Sequence, residues 1–343
     1  EGRVLRAGTF AQLEYSKDDL SVFLSSSLSN TRYGRSSFLD DSSNPNGNVS
    51  DNANFLGFGT KGGANYNIDD KNNVFANIGY FSRAPFLTGS VFLNKESVEL
   101  NSEAINEKVF SMELGYGYRS ENFTANVNLY RTSWKDRVAG SSFVDNDQVF
   151  FTTNFGVEQL HSGVEVDFIA SPFSYLDFRG YVSVGDWKYK GTATTQVKDE
   201  EQNILSTEKE DVDGGEVGDA AQFTAGLGVK IDLSKSFSFD SDIRYYDNLH
   251  ADVGAVKENL KLPSYQLVDA GLSYRMTLGK DKDKSLTIRG NINNVFDYVY
   301  LSDLRTNIQA GDGTGELWKG IDTANQGYFG LGRTWNLQLR YKF

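Results

Sequence analysis

The last ten residues of the chain, T-W-N-L-Q-L-R-Y-K-F at positions 334–343, alternate between apolar and polar side chains without a break. The apolar positions are Trp335, Leu337, Leu339, Tyr341 and Phe343. A period of two predicts a β-strand with one apolar face and one polar face. The same alternation recurs upstream in residues 123–129, 164–168, 221–231 and 286–292.

The connections between these strands fall into two length classes. Short polar turns are predicted at residues 17–19, 69–72, 120–122, 171–175, 234–236 and 279–284. Long polar stretches separate them at residues 34–53, 84–106, 137–149, 191–219, 251–262 and 301–325. Short turns on one rim and long loops on the other are typical of an outer-membrane barrel, in which the short turns face the periplasm.

A soluble β-sandwich or propeller would show alternation too. The predicted strands, however, are about 10 to 15 residues long, against a usual five or six. Aromatic residues such as Tyr116 and Tyr118 close the apolar face, as interfacial girdles do. A propeller also needs a repeat of roughly 40–50 residues, which the sequence does not show. We therefore predict an all-β fold, a transmembrane antiparallel up-and-down β-barrel.

Six hairpins on the short turns and one final strand give about thirteen strands. A single-chain bacterial barrel has an even number of strands, and an open strand edge in lipid leaves backbone groups unpaired. We therefore expect residues 1–343 to be the carboxy-terminal part of a larger barrel. Plugged transporters have about 22 strands. On that expectation the plug and the amino-terminal strands lie outside this chain.

The composition argues against several classes of function. The 343 residues include no Cys, so thiolate metal sites and Cys nucleophiles are excluded, and the only two His are His161 and His250. The formal net charge of -12 argues against a nucleic-acid partner. Nucleotide-binding, hydrolase and zinc-protease motifs are absent from the sequence. We predict no enzymatic activity, no cofactor and no metal site.

Three segments carry a resemblance to a known family. They are V-F-A-N-I-G-Y-F-S-R-A-P-F at 74–86, G-N-I-N-N-V-F-D-Y-V-Y at 290–300 and F-G-L-G-R-T-W-N-L-Q-L-R-Y-K-F at 329–343. In this order and spacing they resemble the TonB-dependent outer-membrane receptors, particularly those of the Bacteroides group. The resemblance implies a Gram-negative outer membrane, a plug domain, and energy from the TonB complex delivered through an amino-terminal region. Neither plug nor TonB box is found in these residues.

Strand parity assigns side chains to the lumen, where aromatic rings and Arg suit a ligand pocket. The candidate ligand-binding residues are Phe81, Arg83, Tyr130, Trp134, Trp187, Arg244 and Tyr246. The alternative is that they pack on a plug or on loops, or that a bulge reverses the parity. Arg83, within the family-like Ser-Arg motif, is expected to support plug or loop structure.

Two further patterns have simpler explanations beside them. Leu337, Leu339, Tyr341 and Phe343 resemble the signal by which the barrel-assembly machinery recognises such proteins, and they also suit a lipid-facing strand. The acidic stretch 199–219 lacks the spacing of a calcium loop, and we interpret it as a solvated loop.

The leading hypothesis is an importer that binds a scarce solute at its outer face and takes it up with TonB-supplied energy. The solute would be an iron chelate, haem, a cobalamin, a peptide or a glycan. A passive porin-like channel and a surface-assembly or adhesion platform remain the alternatives. The expected partners are outer-membrane lipid, the TonB complex, the barrel-assembly machinery and a surface lipoprotein.

Overall fold

A computed structural model describes residues 1–37, 48–92, 98–101, 104–145, 148–201, 203–252, 254–279, 283–306, 313 and 315–343. Within these residues thirteen strands follow one another along a single antiparallel sheet, which confirms the predicted count. They are β1 Gly2–Lys17, β2 Leu20–Ser37, β3 Ala53–Asn67, β4 Asn72–Arg83, β5 Glu107–Arg119, β6 Phe123–Asp145, β7 Gln148–Phe173, β8 Leu176–Lys190, β9 Phe223–Asp232, β10 Phe237–Asp247, β11 Tyr265–Leu278, β12 Lys284–Asn293 and β13 Thr334–Lys342.

Each strand pairs with its neighbours in the chain, so the predicted up-and-down topology is confirmed. Among the described residues β1 pairs only with β2, and β13 pairs only with β12. The sheet is therefore open at both ends. Every residue of β1 and of β13 is exposed. In a bilayer both edges need a hydrogen-bonding partner.

The register gives the sheet two chemically different faces. Between β12 and β13, Leu286 lies opposite Tyr341 and Ile288 opposite Leu339, all on one face. On the other face the amide of Asn291 donates a 2.8 Å hydrogen bond to the Asn336 side chain. The apolar face suits lipid and the polar face suits an aqueous or protein-filled lumen. The alternation seen in the sequence is thus a division between outside and lumen.

Five of the six short turns lie where the sequence predicted them, and the sixth, 279–284, includes residues outside the described part of the chain. The long stretches 34–53, 84–106 and 301–325 also lie partly outside it. Two other long stretches are largely strand. Residues 137–149 were predicted as a loop, but β6 continues to Asp145 and β7 begins at Gln148. The stretch 191–219 likewise contains two strands, Thr192–Lys198 and Ile204–Asp211. The predicted upper limit of about 15 residues per strand is also wrong, because β7 has 26 residues. These strands continue past the lipid-facing belt on the side of the long loops.

Three adjacent strands bend at the same height. Asp136, Gly156 and Gly191 have φ angles of 58°, 69° and 70°, which place all three in the left-handed region. The pairing of β6 with β7 shifts register between Trp134 and residue 139. Above this bend the hydrogen-bonded strands form an outer sheet made of residues 139–145, 148–155, Thr192–Lys198 and Ile204–Asp211. We call the bend the elbow.

The buried apolar side chains gather in the outer loops rather than in the wall. One cluster contains Val157, Tyr189, Ala193, Val212, Val217 and Ala255; a second contains Leu249, Ala251, Leu260, Leu262, Leu301, Leu304 and Ile321; a third contains Tyr33, Ala53, Val91 and Phe92. The remaining short elements are Asn48–Val49, the π-helical turn Leu87–Val91, Leu249–His250, Lys261–Leu262, Leu301–Arg305, Leu317–Trp318, Ile321–Asp322 and Gln326–Phe329. No helix in the described part of the chain is long and apolar enough to cross a membrane.

Candidate functional site

Large side chains on the lumen face lie flat across glycines. A Cβ atom added to Gly163 would come within 3.0 Å of the Tyr130 ring, and one added to Gly185 would meet the Trp187 indole. Since real Cβ atoms do not approach that closely, glycine at these positions lets the rings rest against the backbone. The sequence therefore provides a smooth wall with aromatic faces turned toward the lumen.

Trp187 is the centre of one group of side chains. Its indole Nε1 donates a 2.9 Å hydrogen bond to the hydroxyl of Tyr130. Its ring stacks on His161 with centroids 5.2 Å apart and planes at 21°. The His161 Nε2 lies 3.2 Å from Oε1 of Gln159. Trp187 also packs beneath the outer-loop cluster that contains Tyr189 and Val157.

Trp134 is the centre of a second, adjoining group. The guanidinium carbons of Arg83 and Arg137 lie 4.9 Å and 4.0 Å from its ring centroid, which is cation–π geometry. Arg137 Nη1 donates to Oε1 of Gln159, which joins this group to the first. Together the two groups form the lumen-wall cluster, defined as Arg83, Tyr130, Trp134, Arg137, Gln159, His161 and Trp187.

Arg83 and Arg137 differ in their charge balance. The Arg83 Nε donates a 2.6 Å bond to the carboxylate of Glu107, and its guanidinium covers the ring of Phe86. Arg83 therefore connects the loop that follows β4 to the start of β5. Arg137, in contrast, takes part in none of the ion pairs found among the described residues.

Two buried donors of the cluster lack acceptors. The Nε1 of Trp134 and the Nε of Arg137 have no hydrogen-bond partner within the part of the chain that the structure describes. An unsatisfied buried donor costs about 1–3 kcal/mol. Both belong to side chains that also offer positive charge or an electron-rich ring. Each of these donors needs an acceptor atom, and negatively charged oxygens are the strongest acceptors for a guanidinium.

The other predicted residues lie outside this cluster. Tyr246 stacks on Tyr265 with centroids 4.8 Å apart, and Tyr265 stacks on Tyr300 at 4.4 Å. Arg244, beside them, forms an ion pair with Asp269. Phe81 lies apart, its ring covering Gly59 and Gly79. Of the seven predicted residues, the structure thus brings four together in the cluster and two beside the tyrosines.

Sequence reasoning missed Arg137, Gln159 and His161. The parity that assigned Trp187 to the lumen would have found Gln159 and His161, since they pair with Tyr189 and Trp187. Arg137 had no such signal. The left-handed Asp136 adds one residue to β6, so that Trp134 and Arg137 share a face although they differ in parity.

Below the cluster, the lumen face of β8–β12 holds a row of paired charges. Both guanidinium nitrogens of Arg289 contact the two oxygens of Asp240, at 2.6 Å and 2.7 Å. Arg179 and Asp242 are paired at 2.7 Å. Arg289 is held by two hydrogen bonds to its partly buried partner and so contributes to the wall, whereas the Arg179 side chain is 71% exposed.

The acidic stretch 199–219 is an ordered part of the outer layer. Glu210 accepts a 3.0 Å bond from the hydroxyl of Thr195, and Asp213 accepts one from the amide of Gly191. The hydrogen bond from Lys257 is the main cause that holds the pKa of the Asp211 carboxyl below its usual value. Among the described residues no group of three or more His, Asp or Glu side chains is placed to hold a metal ion.

The terminal residues lie where the alternation places them. Leu337, Leu339 and Tyr341 share the outward face of β13 with their partners on β12. Phe343 follows the strand and is 91% exposed. Their role in membrane insertion stays a prediction.

A meandering sheet with one apolar face, short turns on one side and long folded loops on the other defines the wall of an outer-membrane β-barrel. The family model "TonB dependent receptor-like, beta-barrel" matches residues 3–295. The chain belongs to this family. Members of the family are outer-membrane proteins of Gram-negative bacteria.

Solved structures share the fold at low sequence identity. The copper transporter OprC matches with a TM-score of 0.71 and 16% identity over 99% of this chain and 48% of its own. The ferric yersiniabactin uptake receptor FyuA from Yersinia pestis matches with 0.66 and 14% over 100% of this chain and 46% of its own. The ferric-catecholate import receptor Fiu from E. coli K12 matches with a TM-score of 0.62 and 17% identity, over 98% of this chain and 44% of its own. The chain therefore spans less than half of each. Among curated proteins none matches this sequence.

Proposed function

We propose that this chain is part of an outer-membrane receptor that binds a scarce solute in its upper lumen and imports it with TonB-supplied energy. The observation that carries the proposal is the lumen-wall cluster, which presents three aromatic side chains, a stacked imidazole and two guanidinium groups on one surface. Membership of the TonB-dependent receptor family supports it. A plug domain and the contact with the TonB complex belong to the complete receptor.

The chemistry of the cluster favours a solute with anionic oxygen atoms. Arg137 is outside the ion pairs of the described residues, and its Nε and the Nε1 of Trp134 are donors without acceptors. A planar guanidinium binds carboxylate-like oxygen pairs with two hydrogen bonds. FyuA is a ferric yersiniabactin uptake receptor and Fiu is a ferric-catecholate import receptor, and a metal chelate of this kind would offer such oxygens. We propose an anionic metal chelate as the solute class.

The test compares two arginines of the same strand in the complete receptor. Arg137 faces the lumen, whereas Arg131 pairs with Met112 on the outward face. We expect Arg137→Gln to weaken binding of ferric chelates about tenfold or more, because it removes a charge-assisted hydrogen bond of about 1.5–3 kcal/mol. Arg131→Gln should leave binding unchanged.

Equal affinities for the two variants would contradict the proposed site.

Single-channel recording of the complete receptor in planar bilayers distinguishes an energised importer from a passive channel. A steady open-state current would favour the passive channel over the energised importer. Co-purification of a stoichiometric surface lipoprotein without solute uptake would favour the assembly platform.

The terminal aromatic residue supports a second, separate proposal. We propose that Leu337, Leu339, Tyr341 and Phe343 are recognised by the barrel-assembly machinery before β13 pairs with another strand. Phe343→Ala should reduce the heat-modifiable, folded fraction of the receptor in outer membranes. Leu331→Ala is the control, because Leu331 is similarly exposed and lies outside β13. An equal loss in both variants would overturn the signal role.

A further inference from the structure

The outer sheet ends in a strand with an open edge. Ile204–Asp211 pairs with Thr192–Lys198, and its other edge has no partner among the described residues. All of its residues except Ser206 are exposed. An unpaired strand edge presents a row of backbone donors and acceptors that another extended chain can pair with.

The alternation of hydrogen bonds along the ladder shows which backbone amides of Ile204–Asp211 point toward the open edge. The amide of Val212 donates a 3.0 Å bond to the carbonyl of Gly191, so these residues form a hydrogen-bonded pair that points inward. In an antiparallel ladder such pairs alternate with pairs whose backbone groups point away from the neighbouring strand. Counting back along the register, Thr207, Lys209 and Asp211 direct their N–H and C=O groups toward the open edge.

The devices that usually block such an edge are few here. The strand carries no Pro, and its ladder is regular from Thr192 opposite Asp211 to Val197 opposite Ser206. Lys209 is its only basic residue. Natural edge strands are commonly protected by bulges, Pro or charged side chains. Here the ladder shifts register between Val197 and Lys198, and residues 208–211 are all charged, mostly acidic, which disfavours an acidic added strand and not a basic one. This edge therefore stays available over about six residues, which is enough for a short added strand.

The charge of the edge selects the partner. The strand carries three acidic residues, Glu208, Glu210 and Asp211, and one basic residue, Lys209. Asp199, Glu200 and Glu201 lie in the hairpin turn at its other end. Lys257 offsets the charge of Asp211. A second copy of the chain would bring the same acidic strand, with a formal net charge of -12 per chain, against this one. A segment rich in Lys or Arg would meet opposite charge instead.

We propose that the Ile204–Asp211 edge binds an extended basic segment of a partner protein outside the cell by β-augmentation, as a fifth strand of the outer sheet. The added strand pairs with the backbone of Thr207, Lys209 and Asp211, and its basic side chains lie near Glu208 and Glu210. The Ile204–Asp211 edge shares no residue with the lumen-wall cluster, so the added strand and the solute have separate contacts.

A synthetic octapeptide of alternating Lys and Thr, with blocked termini and a fluorescent label, serves as the probe for the complete receptor in detergent micelles. Thr207→Pro removes one edge amide without touching the inner ladder, and Thr207→Val keeps that amide at the same position. We expect the Pro variant to weaken peptide binding at least tenfold and the Val variant to leave it unchanged. Peptide with Glu in place of Lys should not bind.

Hydrogen exchange provides the second readout, which does not depend on any variant folding. In the wild-type receptor the peptide should slow exchange at the amides of Thr207 and Lys209 and leave Glu208 and Glu210 unchanged. Peptide binding without alternating protection of the amides, or equal binding by the Pro and Val variants, would show that only charge attraction holds the peptide. Either result would overturn the proposed strand pairing. Absence of binding by the Lys–Thr peptide would also overturn it.

Discussion

Trp187 and Tyr130 are joined by a 2.9 Å hydrogen bond although a complete strand lies between them. Tyr130 belongs to β6 and Trp187 to β8, and the intervening residue of β7 is Gly163, which pairs with Tyr130 on one side and with Gly185 on the other. Both rings extend across glycine backbone to meet. The hydrogen bond therefore depends on two positions that carry no side chain.

Adding a methyl group at Gly163 should separate the two rings. Gly163→Ala places a Cβ against the Tyr130 hydroxyl, so we expect a loss of about 1–3 kcal/mol in stability, the usual cost of overpacking. The midpoint of the heat-induced gel shift of the complete receptor measures it. Gly290→Ala is the matched control, because no atom lies within 4 Å of a Cβ at Gly290. An equal drop in both variants would show that the contact is not responsible.

A double-mutant cycle on Trp187 and Tyr130 isolates the bond itself. Trp187→Phe keeps a ring on His161 and loses the donor, while Tyr130→Phe loses the acceptor. We expect a coupling energy of about 1 kcal/mol in stability, the usual net value of a neutral hydrogen bond. Solute binding by the Trp187→Phe variant should weaken about fivefold. Additive effects of the two substitutions would indicate that the bond contributes nothing.

The Arg289–Asp240 pair should stabilise the wall only as an intact pair. Asp240→Asn leaves Arg289 partly buried with a weaker acceptor, and we expect a loss of about 1–3 kcal/mol. The double variant Arg289→Gln, Asp240→Asn should recover part of this loss, because neither residue is then left as a charge without its partner. Thermal unfolding in detergent measures both variants. A double variant less stable than Asp240→Asn would contradict this expectation.

The outer loops should weaken as the pH falls below neutrality. Burial lowers the pKa of His250 from its ordinary 6.5, and Lys261 adds to the effect while Glu216 opposes it. Because the folded loop favours neutral imidazole, its stability is present above pH 6.5 and is lost as the pH falls from there toward the folded pKa. Hydrogen exchange of residues 249–262, corrected for the intrinsic rate, measures it.

The control for the pH experiment is His250→Gln, which cannot titrate. The variant should show the same exchange at pH 7.5 and at pH 5.5, apart from the intrinsic change in rate. If it kept the full pH dependence of the wild-type receptor, another group would have to be responsible.

The sequence predicted the wall far better than the outer layer. In residues such as Trp335 to Phe343 the period of two is strict, and the apolar side chains can face only the lipid. The face of every residue is then determined, and the number and direction of the strands follow from it. Above the lipid belt this constraint ends. Residues 137–149 mix Gly, Ser, Asp and Asn with scattered apolar residues such as Val138, Phe143 and Val144, so a hairpin there shows no regular alternation that distinguishes it from a loop.

The candidate site was predicted in part for the same reason. Trp187 and Tyr130 lie below the elbow, where parity counted from the apolar stripe is reliable. Arg137 follows the left-handed Asp136, and a single extra residue reverses parity in everything beyond it. The resemblance of residues 74–86 to the receptors of the Bacteroides group stays a prediction.

The elbow divides each of the three strands into a part that is constrained by the bilayer and a part that is not. Below Asp136, Gly156 and Gly191 the strands are constrained by hydrocarbon, and any change of register there would carry polar groups into the bilayer. Above them that constraint does not apply, so the exposed hairpins can gain, lose or exchange residues while the wall keeps its pairing. The surface that the chain presents above the elbow is thus open to change in sequence in a way that the wall below it is not.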